Sequence, residues 1–147
     1  VSADPQAALA AYARFFETLT PERLPGLAAL VTPDVRFKDP FNDVCGVDDM
    51  VRALETMYRH GTPRFEVLDR ATGAMGGYLL WRFTNDPGKG GTPLVILGMS
   101  AVDIAPDGRI REHIDHWDSG TQFYAKLPVL GWLIRLVNRR LALPPRP

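Results

Sequence analysis

Two stretches of this sequence place acids and bases where an extended chain would hold them side by side. Val35-Arg36-Phe37-Lys38-Asp39-Pro40 alternates with a period of two, so Val35, Phe37 and Asp39 share one face and Arg36 and Lys38 the other. An apolar neighbourhood disfavours the charged form of a carboxylate, which suits a general base. The competing use of Asp39 is a local hydrogen bond in the turn before Pro40-Phe41. Arg111, His113, Asp115 and Trp117 also share one strand face. Same-face neighbours lie about 7 Å apart, close enough for a histidine and a carboxylate to bias each other's charge. Such a pair either moves protons or completes the hydrogen bonding of an interior. His116 and Asp118 fall on the opposite face, where a surface or subunit contact is expected.

The elements that must position these groups are legible from periodicity. Asp4 before Pro5 reads as an N-cap, and Ala8, Leu9, Tyr12, Phe15, Phe16 and Leu19 then recur at helical spacing. Thr20-Pro21-Glu22 is expected to cap a shorter second helix through Val31, closed by Pro33-Asp34, and Asp48-Asp49 a third that ends near Gly61. Segments 64–68, 78–83, 93–104 and 109–117 are rich in β-branched and aromatic residues and are separated by Gly-containing turns, which predicts an antiparallel meander. From Ser119 helical spacing returns, broken at Leu127-Pro128 and Gly131. The expected class is α+β, a cone-shaped curved antiparallel sheet wrapped over N-terminal helices with an additional C-terminal amphipathic helix. Residues 1–147 read as a single domain, with 119–147 as a helical extension.

Composition excludes several function classes. Seventeen basic residues balance 17 acidic ones, which leaves no overall field to attract nucleic acid. One cysteine, Cys45, excludes an internal disulfide and a cysteine-based zinc cluster, and is expected to be a buried structural thiol. Three histidines alone do not argue for a metal. No Gly-rich phosphate loop leads into a helix, since Gly88-Lys89-Gly90-Gly91 joins two strands, so no cofactor is expected. The longest apolar run, Val129 to Ile134, is far short of the roughly 20 residues that span a bilayer. Val1-Ser2-Ala3-Asp4-Pro5 does not resemble a signal peptide, and the expected location is cytoplasmic.

Three segments carry a resemblance to a known group: Pro33 to Phe41, Gly46 leading into the third helix, and Asp107-Gly108-Arg109-Ile110 followed by His113 to Asp118. With the element order from about Pro5 to Tyr124, the chain resembles the nuclear transport factor 2-like superfamily, in its SnoaL-like branch with ketosteroid isomerases, polyketide cyclases and limonene epoxide hydrolases. The resemblance implies that Asp39 sits where ketosteroid isomerases keep their base. It also makes the Asp115 face the interior one and matches Asp115 to an acid–base aspartate. It places Phe15 and Ser100 where those isomerases carry their two oxyanion donors, and phenylalanine cannot donate; Tyr12 or Tyr58 would have to substitute. An arginine and second aspartate used by the epoxide hydrolases have no counterpart, because Ile96, Gly98 and Ser100 occupy the adjacent inward positions.

The expected catalytic set is Asp39, Asp115, His113, Tyr12 and Tyr58, and the expected substrate contacts are Phe15, Phe37, Met57, Trp81, Phe83, Ser100 and Trp117. Isomerase- or cyclase-like acid–base chemistry on an apolar ketone, polyketide or lipid-like molecule is one reading. Capture of a hydrophobic ligand without chemistry is the other. A volume of roughly 300 Å³ or more between the third helix and the sheet favours a ligand, and a filled interior favours plain core. Residues 119–147 contain five cations and no acid, leaving 12 cations against all 17 acids in the first 118 residues. The apolar stripe beside those arginines packs on the domain, pairs in a homodimer, or makes a weak contact with an anionic membrane surface.

Overall fold

Asp4 accepts a hydrogen bond from the backbone N–H of Gln6 at 3.0 Å and Pro5 occupies the first turn, so α1 begins where a cap and a pre-set φ coincide and runs Pro5–Glu17. This computed structural model describes residues 2–145. The next segment, Pro21–Ala29, is a 3-10 helix and not the α-helix expected there. Pro25 inside it supplies no N–H, Gly26 follows, and the Thr20 side chain makes no cap bond. Its last residues are claimed by a strand, because Val31–Lys38 forms β1 and carries Pro33-Asp34 within it.

The short β2, Asp43–Cys45, pairs antiparallel with β1 and was not anticipated; its Cys45 is exposed, which corrects the expectation of a buried thiol. Three residues on a sheet edge have only one covered side, and Cys45 points to the other. Helix α2, Val47–Thr56, starts at Gly46, whose φ of 94° only glycine adopts cheaply. Asp48 and Asp49 then fall in the first turn, where they complement the helix dipole.

Strands β3 (Thr62–Gly73), β4 (Gly76–Asp86), β5 (Leu94–Ile104) and β6 (Ile110–His116) form the expected antiparallel meander. The full sheet order is β2-β1-β6-β5-β4-β3, and the β1–β6 pairing is parallel. The result is α+β, a curved, open six-stranded sheet with helices on one face. Its core is made by Leu9, Tyr12 and Phe16 of α1, Val35 and Phe37 of β1, Met50 and Leu54 of α2, and the inward residues Leu79, Trp81, Phe83, Ile96 and Val102.

The chain divides into two compact units, 1–117 and 118–147. The second contains α3 (Ser119–Gln122), a 3-10 turn Tyr124–Lys126 and α4 (Pro128–Leu141). The expected break at Leu127-Pro128 is present, whereas Gly131 lies inside α4 without interrupting it. Among the described residues no helix is long and apolar enough to cross a membrane.

Candidate functional site

Register across β4, β5, β6 and β1 decides which side chains meet. Ser100 lies opposite Asp115, Val102 opposite His113, and Phe37 opposite His113 on the other side. Gly98 lies opposite Trp81, and a Cβ there would approach the Trp81 ring to 2.4 Å, so the glycine gives the indole its place.

A continuous line of hydrogen bonds results. Trp81 donates from Nε1 to Ser100 Oγ at 2.8 Å, and Ser100 Oγ donates to Asp115 Oδ1 at 2.5 Å. His113 Nε2 meets the same Oδ1 at 2.7 Å, and its Nδ1 meets the Tyr12 hydroxyl at 2.7 Å. Burial and the nearby Asp115 charge push the Tyr12 hydroxyl well above its ordinary range, so it keeps its proton. The Asp115 carboxylate can only accept, so the proton of the neutral imidazole sits on Nε2 and is donated to Oδ1, and Nδ1 is left to accept from the Tyr12 hydroxyl. The histidine is enclosed by ring edges, with the Phe37, Tyr12 and Phe16 centroids 5.2, 5.6 and 5.6 Å from its own. Exposure rises along the line, from 4% for the His113 side chain to 16% for Asp115. Both donors bind Oδ1, and among the described residues none is bonded to Oδ2. Beyond Asp115 on the strand, the half-buried Trp117 stacks edge-on with the exposed Phe41 at 5.7 Å.

Arg111 is absent from this face. Between Asp103 and Ile104 the β5–β6 register shifts, so Ile110 and His113 both point inward and the intervening bulge turns Arg111 to solvent, paired with Asp103 at 2.6 Å. Asp39 lies just past β1 and is partly buried. Its Oδ1 accepts the backbone N–H groups of Phe41 and Asn42 at 2.7 Å, with further bonds from Asn42 Nδ2, so the turn claims its carboxylate.

Tyr58 sits on the 3-10 turn after α2, outside the hydrogen-bonded line. Its buried hydroxyl has no hydrogen-bond partner among the described residues, and burial together with Glu22 pushes its ionisation upward. Phe15, Phe37 and Phe83 are core, Met57 and Trp117 are half-buried against it, and Trp81 and Ser100 are buried in the polar line itself.

That last link was missed in sequence reading, which took both as lining; Gly98 between inward-facing Ile96 and Ser100 was the available signal, since a glycine amid larger residues marks a close approach. A groove of about 600 Å³ runs beside the end of α1 and strands β3 and β4, lined by residues including Glu17, Thr20, Arg64, Phe65 and Arg82. None of the five residues of the hydrogen-bonded line borders it, and it is not the expected space between α2 and the sheet. Among the described residues no group of three or more His, Cys, Asp or Glu side chains is placed to hold a metal ion.

Residues 12–113 match the family model of the SnoaL-like domain, well over half of the chain. The protein belongs to the SnoaL-like family. Solved structures agree on the fold. A protein assigned to the SnoaL-like polyketide cyclases, from Shewanella putrefaciens, is 16% identical, with 80% of this chain and 81% of that one covered and a TM-score of 0.64. An LEH-like epoxide hydrolase of M. tuberculosis is 17% identical over 95% and 97% of the two chains, TM-score 0.60. A protein of ketosteroid isomerase-like fold from Catenulispora acidiphila, solved with trimethylamine, is 12% identical over 85% and 95%, TM-score 0.67. No curated protein matches this SnoaL-like chain in sequence.

Proposed function

We propose that this SnoaL-like protein transfers protons on a small apolar carbonyl compound, in an isomerase- or cyclase-type reaction, with Asp115 as the catalytic acid–base. The supporting observation is the convergence of Ser100 and His113 on one carboxylate oxygen of the most exposed member of an otherwise buried line. Oδ2 of the carboxylate takes a proton from the carbon beside the substrate carbonyl, and the electron pair moves into the enolate. With a β,γ-unsaturated substrate the protonated acid then returns that proton to the γ-carbon of the dienolate, which moves the double bond into conjugation, or with a dicarbonyl substrate it protonates the alkoxide after the enolate carbon attacks the second carbonyl, which closes a ring. Ser100 and His113 hold the carboxylate in one orientation throughout, and Tyr12 fixes the imidazole tautomer. Trp117, two residues beyond Asp115, adds apolar surface beside the carboxylate.

Deuterium incorporation from D₂O next to the carbonyl of apolar ketones, read by mass spectrometry, tests this. Asp115→Asn should lower the exchange rate by roughly 10²–10⁴, the usual worth of a positioned acid–base group. Exchange by a folded Asp115→Asn protein at the wild-type rate would overturn the assignment. The second reading, capture without chemistry, is favoured by the commitment of the Tyr12 hydroxyl to His113, which leaves it unavailable to an oxyanion. In that case both proteins bind the ketone and neither exchanges it.

A further inference from the structure

The C-terminal unit has almost no interior of its own. Gly131 is the only buried residue of α4, and it sits where a Cβ would come within 2.3 Å of the Ala125 carbonyl oxygen. Arg135 donates from Nη1 to that same oxygen at 2.8 Å, so glycine and arginine together fold the Tyr124–Lys126 turn against the helix. At about 100° per residue, the apolar residues of α4 from Trp132 round to Ile134 occupy an arc of about 200°, and Pro128, Gly131, Arg135, Asn138 and Arg139 fill the rest. Apolar residues on that arc remain open, Val129 at 84%, Trp132 at 62% and Leu141 at 81%. Arg140 is the one cation inside the arc, about 20° from its centre, and its long aliphatic stem has to carry the charge back to the headgroups.

We propose that α4 docks on an anionic lipid surface, lying in the interfacial plane with its apolar arc down. Charge selects this occupant. Lys126, Arg135, Arg139 and Arg140 are the only charged side chains between Ser119 and Pro145. A second copy laid against the same face brings like charges together with no carboxylate from either segment to pair them. An anionic leaflet supplies the opposite charge along the whole length, and each cation near it strengthens partition. With 14 residues the helix is about 21 Å long, which suits lying on a bilayer and not crossing it.

The full chain, mixed with phosphatidylcholine vesicles that contain or lack about one-quarter phosphatidylglycerol at about 0.1 M salt, reads this directly by flotation. The wild type should float with the anionic vesicles alone, and its tryptophan emission should shift to the blue, a shift that Trp132→Phe removes. Lys126→Gln/Arg139→Gln/Arg140→Gln and Leu133→Asp/Val137→Asp should each reduce the floated fraction about tenfold, with unfolding temperatures unchanged. Absent flotation of the wild type, or flotation indifferent to phosphatidylglycerol, overturns the proposal. So does a dimer in lipid-free solution that Leu133→Asp/Val137→Asp dissociates without loss of flotation, which would make the face a contact between copies.

Discussion

Tyr12 makes its hydrogen bond from a position 1% exposed, and its elevated ionisation carries a pH signature. The folded protein holds this proton above pH 10.0, the ordinary value, whereas the unfolded chain releases it there. Stability contributed by Tyr12 is thus complete below pH 10 and falls as pH rises towards the folded value, by about 1.4 kcal/mol per pH unit for one proton. Tyr12→Phe should flatten that alkaline decline in urea unfolding measured from pH 9 to 11. At neutral pH the same substitution should cost about 1–3 kcal/mol by leaving His113 Nδ1 without its donor. Ser100→Ala strands the Trp81 indole N–H and takes one donor from Asp115; a similar loss of about 1–3 kcal/mol is expected, with a fall in any Asp115-dependent exchange. Arg111→Ala is the contrasting case: its exposed pair with Asp103 should contribute less than about 1 kcal/mol. Of these residues, His113 and Asp115 were legible from their spacing of two. Asp39 makes the local turn bonds that sequence reading had set beside a role as base, and Asn42, three residues on, is the partner that strand alternation did not reveal.

Among the elements, the meander and α1 were readable because their patterns are local: period two, Gly-bearing turns, and an Asp-Pro cap. The 3-10 segment Pro21–Ala29 and the early start of β1 were not, since Val31 is drawn into the sheet by a partner far along the chain, Ile110. The bulge in β6 escaped for a related reason, since strict alternation put Arg111 on the His113 face and only cross-strand register removes it. The contact of β4 with β5 makes its own prediction. Gly98→Ala drives a methyl group into Trp81 and pulls the indole from Ser100, so it should destabilise the protein by roughly 1–3 kcal/mol in chemical denaturation. Trp81→Phe removes the donor without adding bulk at residue 98; the two changes combined should cost less than their separate effects added together, because they act on one contact.

For the molecule as a whole, the buried cluster of the first unit includes residues from Leu9 to Ile110. A chain ending at Gln122, which lacks α4, should lose vesicle binding in the flotation assay. The division was visible in the sequence as a change of charge, with all 17 acids in the first 118 residues. What composition could not provide was the sheet order, in which the first long strand and the last run side by side in the same direction.

That parallel pairing also bears on how the protein is made. The β3–β4 and β4–β5 hairpins are local and can form while translation continues, but β1 waits for residues 110–116 before its long edge is covered, as does the open edge of β5. Two unpaired edges in a nascent chain are templates for the wrong neighbour. Yield in a cell should then depend on how quickly the stretch that encodes β6 is read, and a stall just before Ile110 would route more of the product to holdase chaperones or inclusion bodies.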